Sequence, residues 1–304
     1  PTCRVEVARL ERLPAHDGSG APRRKRMKAY DAASEPGAQS YESVQAFLQA
    51  MIDPVSAAAL SALNRWGAED GVEEDGPPYN IDAAAGHAIV PEGITELEDF
   101  AFYGCDTLVS VTLPASLTRI GEGAFLNCSS LTTITLPAGL ATICEDAFGS
   151  CSSLTALTLP ASLTAIGEGA FHYCSSLTAL TLPASLTEIF EETFFGCSSL
   201  ATLVLPDSLT EIGRSAFKGC SSLSTLALPA SLTTIGRSAF DGCSSLTTLA
   251  LPYSLTEIGY GAFKHCSSLT TLTLPDFLTE IGRSAFAGCS SLTTLTLPAS
   301  LTTI

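Results

Sequence analysis

The amino-acid sequence predicts a solenoid of stacked coils, with one parallel β-sheet face and short helical turns on the opposite side. A small helical and disordered region stands ahead of it. Three observations predict this fold. Nine of the 11 cysteines fall at Cys105, Cys128, Cys151, Cys174, Cys197, Cys220, Cys243, Cys266 and Cys289, each 23 residues after the last. A phenylalanine column (Phe102, Phe125, Phe148, Phe171, Phe194, Phe217, Phe240, Phe263, Phe286) keeps the same step. So do prolines from Pro91 and Pro114 to Pro298 and isoleucines from Ile120 to Ile304, with Leu97 as a looser first member. Finally, the leucines within each unit follow an L-x-x-L-x-L spacing. A fixed period of about 20–30 residues with that spacing marks a stacked solenoid.

Residues 1–39 are rich in Ala, Pro, Gly and charge and show no sustained period, so they read as a disordered arm. Within it Arg23, Arg24, Lys25, Arg26 and Lys28 form a basic run. Such a run serves as a localisation signal or a phosphate-binding patch, or is simply a solvated charge cluster. Residues 40–67 read as two helices. Ser40 caps the first, whose Val44, Phe47, Leu48 and Met51 share one face. Asp53 and Pro54 supply the N-cap and first position of the second, which carries Val55, Leu60, Leu63 and Trp66 before Gly67 stops it. This pair is suited to cover an open solenoid end. Residues 68–84, with an acidic stretch from Glu69 to Asp75 and then Pro77 and Pro78, read as a linker. From residue 85 to 304 the array runs for about nine coils, opened by a half-coil in which Ala85, Ala88 and Val90 take the strand-leucine columns.

One unit, residues 266–288, shows what a coil does. Leu269, Leu272 and Leu274 point inward, and the alternation Leu272-Thr273-Leu274 is a strand signal that leaves Thr271 and Thr273 outside. Pro275 cannot donate to a ladder and ends the strand. Leu278 and Ile281 return inward, Gly282 allows the turn, and Arg283-Ser284-Ala285-Phe286 fits a single helical turn with Phe286 buried. A lone coil is unstable. Its apolar side chains contribute about 1.5–3 kcal/mol each on burial, whereas ordering costs about 1–2 kcal/mol per residue. Only neighbours covering both sides of each layer tip that balance. At about 4.8 Å per coil the expected body is roughly 45 Å long with one long parallel sheet.

The unit C-S-S-L-T-T-L-T-L-P-A-S-L-T-x-I-G-x-x-A-F-x-x resembles the BspA-like (Treponema-type) leucine-rich repeat, with its L-P step, I-G turn and A-F-x-x-C segment. The resemblance covers residues 89–304 and makes the fold class a leucine-rich-repeat solenoid. It implies surface adhesins and interaction modules, hence partner binding without catalysis. The sequence departs from the pattern in the glycine column at Glu98, Cys144 and Phe190.

Composition narrows the function. The formal net charge of −16 disfavours nucleic acid, whose binding runs on Lys and Arg. No apolar run approaches the ~18–20 residues of a membrane span. The cysteines form no C-x-x-C pair or zinc spacing, so they read as a core column of small hydrophobes. Reduced, buried thiols favour the cytoplasm or nucleus. His16, His87, His172 and His265 are scattered, the serines recur in C-S-S and A-S-L contexts that turns explain, and Gly121-Glu122-Gly123 lacks a phosphate loop's Lys-Ser/Thr. No enzyme, metal or cofactor is expected.

Three features remain as binding candidates. Thr133/Thr135, Thr271/Thr273 and Thr294/Thr296 form T-x-T pairs that would match ice or a mineral lattice, although Ala156, Ala179, Val204, Ala227 and Ala250 interrupt them and threonine suits exposed strands anyway. The column after I-G is acidic at Glu122, Glu145, Glu168 and Glu191, then turns to Arg214, Arg237, Tyr260 and Arg283. Aromatic spots occur at His172, Tyr173, Phe190 and Phe195, beside Glu191 and Glu192, and at Tyr253 with Phe277. Aromatic anchors are typical hot spots; drift at tolerant surface positions explains them equally.

The sequence stops at Ile304 in mid-coil without a polar cap and starts at Pro1 without an initiating Met or signal peptide, so a fragment is expected. A truncated N-terminus would hide a secretion signal and allow an extracellular site. An apolar last layer would associate end to end. The reading is a non-catalytic protein-interaction scaffold with an unknown protein partner; an adhesin-like surface module is the alternative, with lattice binding behind it.

Overall fold

The computed structural model describes residues 80–82 and 86–303, all within the Leu60–Ile304 unit of the chain. The basic run Arg23, Arg24, Lys25, Arg26 and Lys28, the helical pair 40–67 and most of the linker 68–84 lie outside the described residues.

The threonine–leucine segment of most coils forms a short strand. Thr202–Val204 pairs in parallel with Ala179–Thr181 of the coil before, and Thr225–Ala227, Thr248–Ala250 and Thr271–Thr273 pair likewise with one another as the next group. The register is locked at the repeat length, Leu226 against Leu249 and Leu249 against Leu272. A one-residue slip would turn every leucine outward, which is why the buried face specifies it so strongly. This row opens with Asn80–Asp82, which pairs antiparallel with His87–Ile89. It is interrupted at residues 155–157, which carry no strand.

A second strand row follows the L-P step. Glu188–Ile189, Glu211–Ile212, Thr234–Ile235, Glu257–Ile258 and Glu280–Ile281 pair in succession, all parallel, and Glu96–Leu97 through Ala165–Ile166 form the earlier part. The expected single long sheet is therefore two narrow rows on either side of the proline corner. Next to the isoleucines, the I-G glycines meet the previous coil so closely that a Cβ on Gly259 would lie 2.6 Å from the backbone of Gly236 and Arg237.

The expected helical turn is replaced by a hydrogen-bonded edge; no helix occurs among the described residues. In residues 236–243, Ala239, Asp241 and Cys243 donate their N–H to carbonyls three residues back, at 3.3, 3.1 and 3.1 Å. The residues between them, Ser238, Phe240 and Gly242, donate instead to Tyr260, Ala262 and Lys264 of the next coil, at 2.8, 2.7 and 2.8 Å. A helix satisfies its amides internally; here every second amide leaves the coil. Ser238 at φ 53° and Gly242 at φ 79° make the alternation possible.

These three edges enclose a continuous core. Each phenylalanine of the 23-residue column from Phe102 to Phe263 is fully buried, and successive rings stack with centroids 5.1–5.7 Å apart, from Phe102–Phe125 to Phe263–Phe286. Beside them run the thiols. Cys220 Sγ donates to the Phe194 carbonyl of the previous coil at 3.2 Å, and Cys197, Cys243 and Cys266 repeat the contact. A small side chain with a weak donor suits this column, because the carbonyl it meets is buried. The serines of A-S-L also act as clasps between coils, Ser208 and Ser231 each donating to a leucine carbonyl one coil back at 2.6 Å. Threonines such as Thr233 and Thr256 do the same at 3.1 and 3.2 Å.

Candidate functional site

The A-F-x-x-C segment keeps Ala, Phe and Cys for the core and leaves two positions per coil for the surface. The first holds His172, Phe195, Lys218, Asp241 and Lys264 in successive coils; the second holds Tyr173, Gly196, Gly219, Gly242 and His265. Because the backbone ladder aligns these coils, residues 23 or 24 apart in sequence touch.

Contacts run along this edge from coil to coil. His172 Nδ1 lies 3.1 Å from Asp146 Oδ1 and 2.7 Å from the Gly169 carbonyl, so Nδ1 carries a proton and donates to both. Its ring lies against Gly149, where a Cβ would collide with it. Tyr173 meets His172 edge-on with centroids 5.7 Å apart and Phe195 edge-on at 5.0 Å. The Lys218 ammonium stands 5.8 Å from the Phe195 centroid and 3.8 Å from Asp241 Oδ2. Asp241 Oδ1 in turn accepts from His265 Nδ1 at 3.0 Å. Burial disfavours the charged form of His172, but the hydrogen bond and charge of Asp146 outweigh it and the imidazole pKa is raised.

Of the residues singled out from sequence, His172, Tyr173 and Phe195 are brought into contact. Phe190 is 37% exposed and sits in the glycine column on the same edge, its carbonyl accepting the Thr193 hydroxyl at 2.9 Å. Tyr253 and Phe277 lie at the corner after the L-P step, 79% and 67% exposed. Tyr253 borders an open trough of about 630 Å³ lined also by Thr248, Thr271, Thr273 and Asp276. Phe277 occupies the column of the clasp serines Ser208, Ser231 and Ser254. Sequence reasoning missed Asp146, Lys218, Asp241 and His265. The signal was available: Lys218 and Asp241 stand one and two repeat lengths after Phe195.

The charge column after I-G belongs to this edge as well. Its backbone is a ladder in which the carbonyls of Glu122, Glu145, Glu168, Glu191, Arg214, Arg237, Tyr260 and Arg283 each accept an N–H from the coil before, at 2.7–3.0 Å. Where acidic gives way to basic, Arg214 Nη1 pairs with Glu191 Oε1 at 3.2 Å. Arg237 lies over the Tyr260 ring at 5.0 Å.

The thiols offer no reactive centre in the core. Burial raises the pKa of Cys105 to about 11 and that of Cys197 and Cys266 to about 12. Buried structural thiols of this kind are unreactive. Cys144 differs: it is half-buried, and the positive charge of Arg119 acts on it. Among the described residues, no group of three or more His, Cys, Asp or Glu is placed to hold a metal ion. No helix among them is long and apolar enough to cross a membrane.

With the stacked columns in view, the class is clear: this is a leucine-rich-repeat solenoid. The model of the BspA type leucine rich repeat region matches at residues 86–201 and 187–304, in six copies, and the chain belongs to that family. Among solved structures it is similar to a Treponema pallidum leucine rich repeat protein, at 28% identity over 70% of this chain and 86% of that one, TM-score 0.41. A leucine rich cell surface protein from Faecalibacterium prausnitzii is 22% identical over 75% of this chain and 95% of that one, TM-score 0.42. The pneumococcal vaccine antigen PcpA is 25% identical over 69% of this chain and 60% of that one, TM-score 0.43. No curated protein sequence matches the chain. Membership rests on the repeat model.

Proposed function

We propose that the array is a non-catalytic scaffold for protein partners, engaged through the edge that carries His172, Tyr173 and Phe195. The observation behind this reading is the run of contacts from Asp146 to His265 across successive coils. Most of the array repeats itself; this edge holds non-repeating aromatic and charged groups in mutual contact. Aromatic anchors among paired charges suit a protein interface. The titratable groups pair with one another on an open edge, without the enclosure in which acid–base chemistry is tuned. The threonine face is a poorer candidate, since its T-x-T rows are broken by Ala156, Ala179, Val204, Ala227 and Ala250. The reading holds for a partner met inside the cell or at its surface.

The test is crosslinked capture with the tagged full chain expressed in its source cell, beside a variant carrying Tyr173→Ala, Phe190→Gly and Phe195→Ala. A protein recovered by the parent and lost with the variant, at matched thermal midpoints, is the expected outcome. Equal recovery on both would remove this edge from consideration.

A further inference from the structure

The charge column has a symmetry that ordinary surface drift does not require. Reading one residue per coil, it runs Asp99, Glu122, Glu145, Glu168, Glu191 and then Arg214, Arg237, Tyr260, Arg283. The acidic members occupy one contiguous half, and every charged member of the other half is basic. All but the half-buried Glu191 are exposed. The column is also continuous, because the carbonyl ladder from Glu122 to Arg283 ties each coil's member to the coil before. Lys264 adds positive charge to the second half of the same edge, where Lys218 and Asp241 offset one another, and Asp146 and Glu192 add negative charge to the first.

Such a row is self-complementary when reversed. Like charges one ladder spacing apart repel along each half; at Glu122 burial is the main cause, and Asp99 and Asp146 add to it, in holding the carboxyl above the usual range. A parallel neighbour would place acid on acid. An antiparallel neighbour, related by a dyad between the coils of Glu191 and Arg214, places each acidic member from Glu122 to Glu191 opposite a basic or aromatic one. Glu191 faces Arg214 of the second copy, Glu168 faces its Arg237, Glu145 its Tyr260 and Glu122 its Arg283, and each pairing occurs twice. The exposed rings of Tyr173 and Phe190 lie beside that dyad, with Phe195, and the charges flank them. An isologous interface needs this arrangement: one patch serving both partners, an apolar centre and a charged rim.

We propose that this edge binds a second copy of the same chain, the two solenoids lying antiparallel about a dyad at the Glu191–Arg214 step. The proposal rests on the scaffold reading of the same edge and names its partner.

Sedimentation of the purified full chain tests it, using two charge-reversed variants. The first carries Glu122→Arg and Glu168→Arg, the second Arg237→Glu and Arg283→Glu. The parent is expected to dimerise at about 50 mM salt and to weaken by about tenfold or more near 0.5 M, where the screening length has fallen to a few ångströms. Each variant alone sets like charges opposite one another and is expected to sediment as a monomer. Mixing the two restores complementarity and the dimer, which also shows that both variants are folded. A parent that stays monomeric at about 0.1 mM in low salt overturns the proposal. So do variants that dimerise as well as the parent, or a mixture that remains monomeric. The two readings fail separately: a monomeric parent whose captured protein is still lost with the aromatic variant overturns the dimer and leaves the edge as a binding surface for a different partner, whereas equal capture by parent and aromatic variant overturns the scaffold reading.

Discussion

Replacing Phe217 by Ala probes what holds the array together. Phe217 is fully buried, with Phe194 stacked 5.4 Å away on one side and Phe240 5.3 Å away on the other. Truncating a buried phenylalanine costs about 3–5 kcal/mol, because the cavity is closed on both faces and collapses poorly. Phe286 is the control. It is only partly buried, and among the described residues one ring, Phe263 at 5.7 Å, stacks on it. Its truncation exposes little new cavity and should cost about 1–2 kcal/mol. Against a typical total of about 5–15 kcal/mol, the central change removes a large share. It also weakens coupling between the halves, since a solenoid's stability is a sum of coil and neighbour terms. Urea denaturation followed by circular dichroism reads both quantities, the midpoint and the slope. Phe217→Ala should lower the midpoint strongly and reduce the slope as the halves begin to melt separately; Phe217→Leu, keeping most of the volume, should fall between it and the parent. Equal losses for Phe217→Ala and Phe286→Ala, within about 0.5 kcal/mol, would refute a core whose strength depends on neighbours on both sides.

Other expectations follow from single contacts. Gly196 has φ 71°, and a Cβ on it would lie 2.6 Å from the Tyr173 ring, whereas on Gly219, with φ 78°, the nearest atom would be 3.6 Å away. Gly196→Ala should therefore lose about 1–3 kcal/mol more than Gly219→Ala, and adding Tyr173→Ala should return part of the difference in a thermal melt. Native-state alkylation at pH 8 should modify Cys144 first among the described cysteines, since it is half-buried while the ladder thiols are buried; peptide mapping that finds Cys220 or Cys243 labelled as fast would contradict the packing. The pKa of His172 is raised above its ordinary value in the fold, with burial opposing and Asp146 prevailing. Its contribution is therefore complete below the unfolded imidazole value and lost as pH rises through the folded one. Asp146→Asn should accordingly destabilise more at pH 5.5 than at pH 8, by about 1 kcal/mol or less, and an opposite trend would remove the pair.

Much of this was legible in the residue columns. The Cys, Phe, Leu and Ile positions read as core are buried over most of the array, because a period repeated this often leaves few alternative registers. Three features were not. Ala285-Phe286 looks helical locally, but the coil before it competes for its carbonyl and wins, as Phe263 N–H to the Ala285 carbonyl at 2.8 Å shows. Left-handed backbone at Ser215, Ser238 and Ser284 is unexpected for serine and is imposed by the stack, not by local preference. The strand Asn80–Asp82 lies in the segment read as linker, where the repeat columns give no guidance. At the edge, His172, Tyr173 and Phe195 were found because aromatic residues draw attention. Their continuation through Lys218 and Asp241 was overlooked, since charges at irregular columns read as solvated surface until the register places them side by side.

The locking of register to the repeat length has a genetic consequence. An insertion or deletion of one residue inside the array misaligns the thiol, ring and clasp columns at once, and every coil on one side of it must re-seat. Gain or loss of 23 residues at any point preserves them all. Such a chain varies most easily by whole-unit duplication and loss, as unequal crossing-over between near-identical stretches produces. The half-acidic, half-basic edge is then the feature most exposed to this process: one unit gained on either side moves its midpoint, and so changes which copies fit one another while leaving the fold intact.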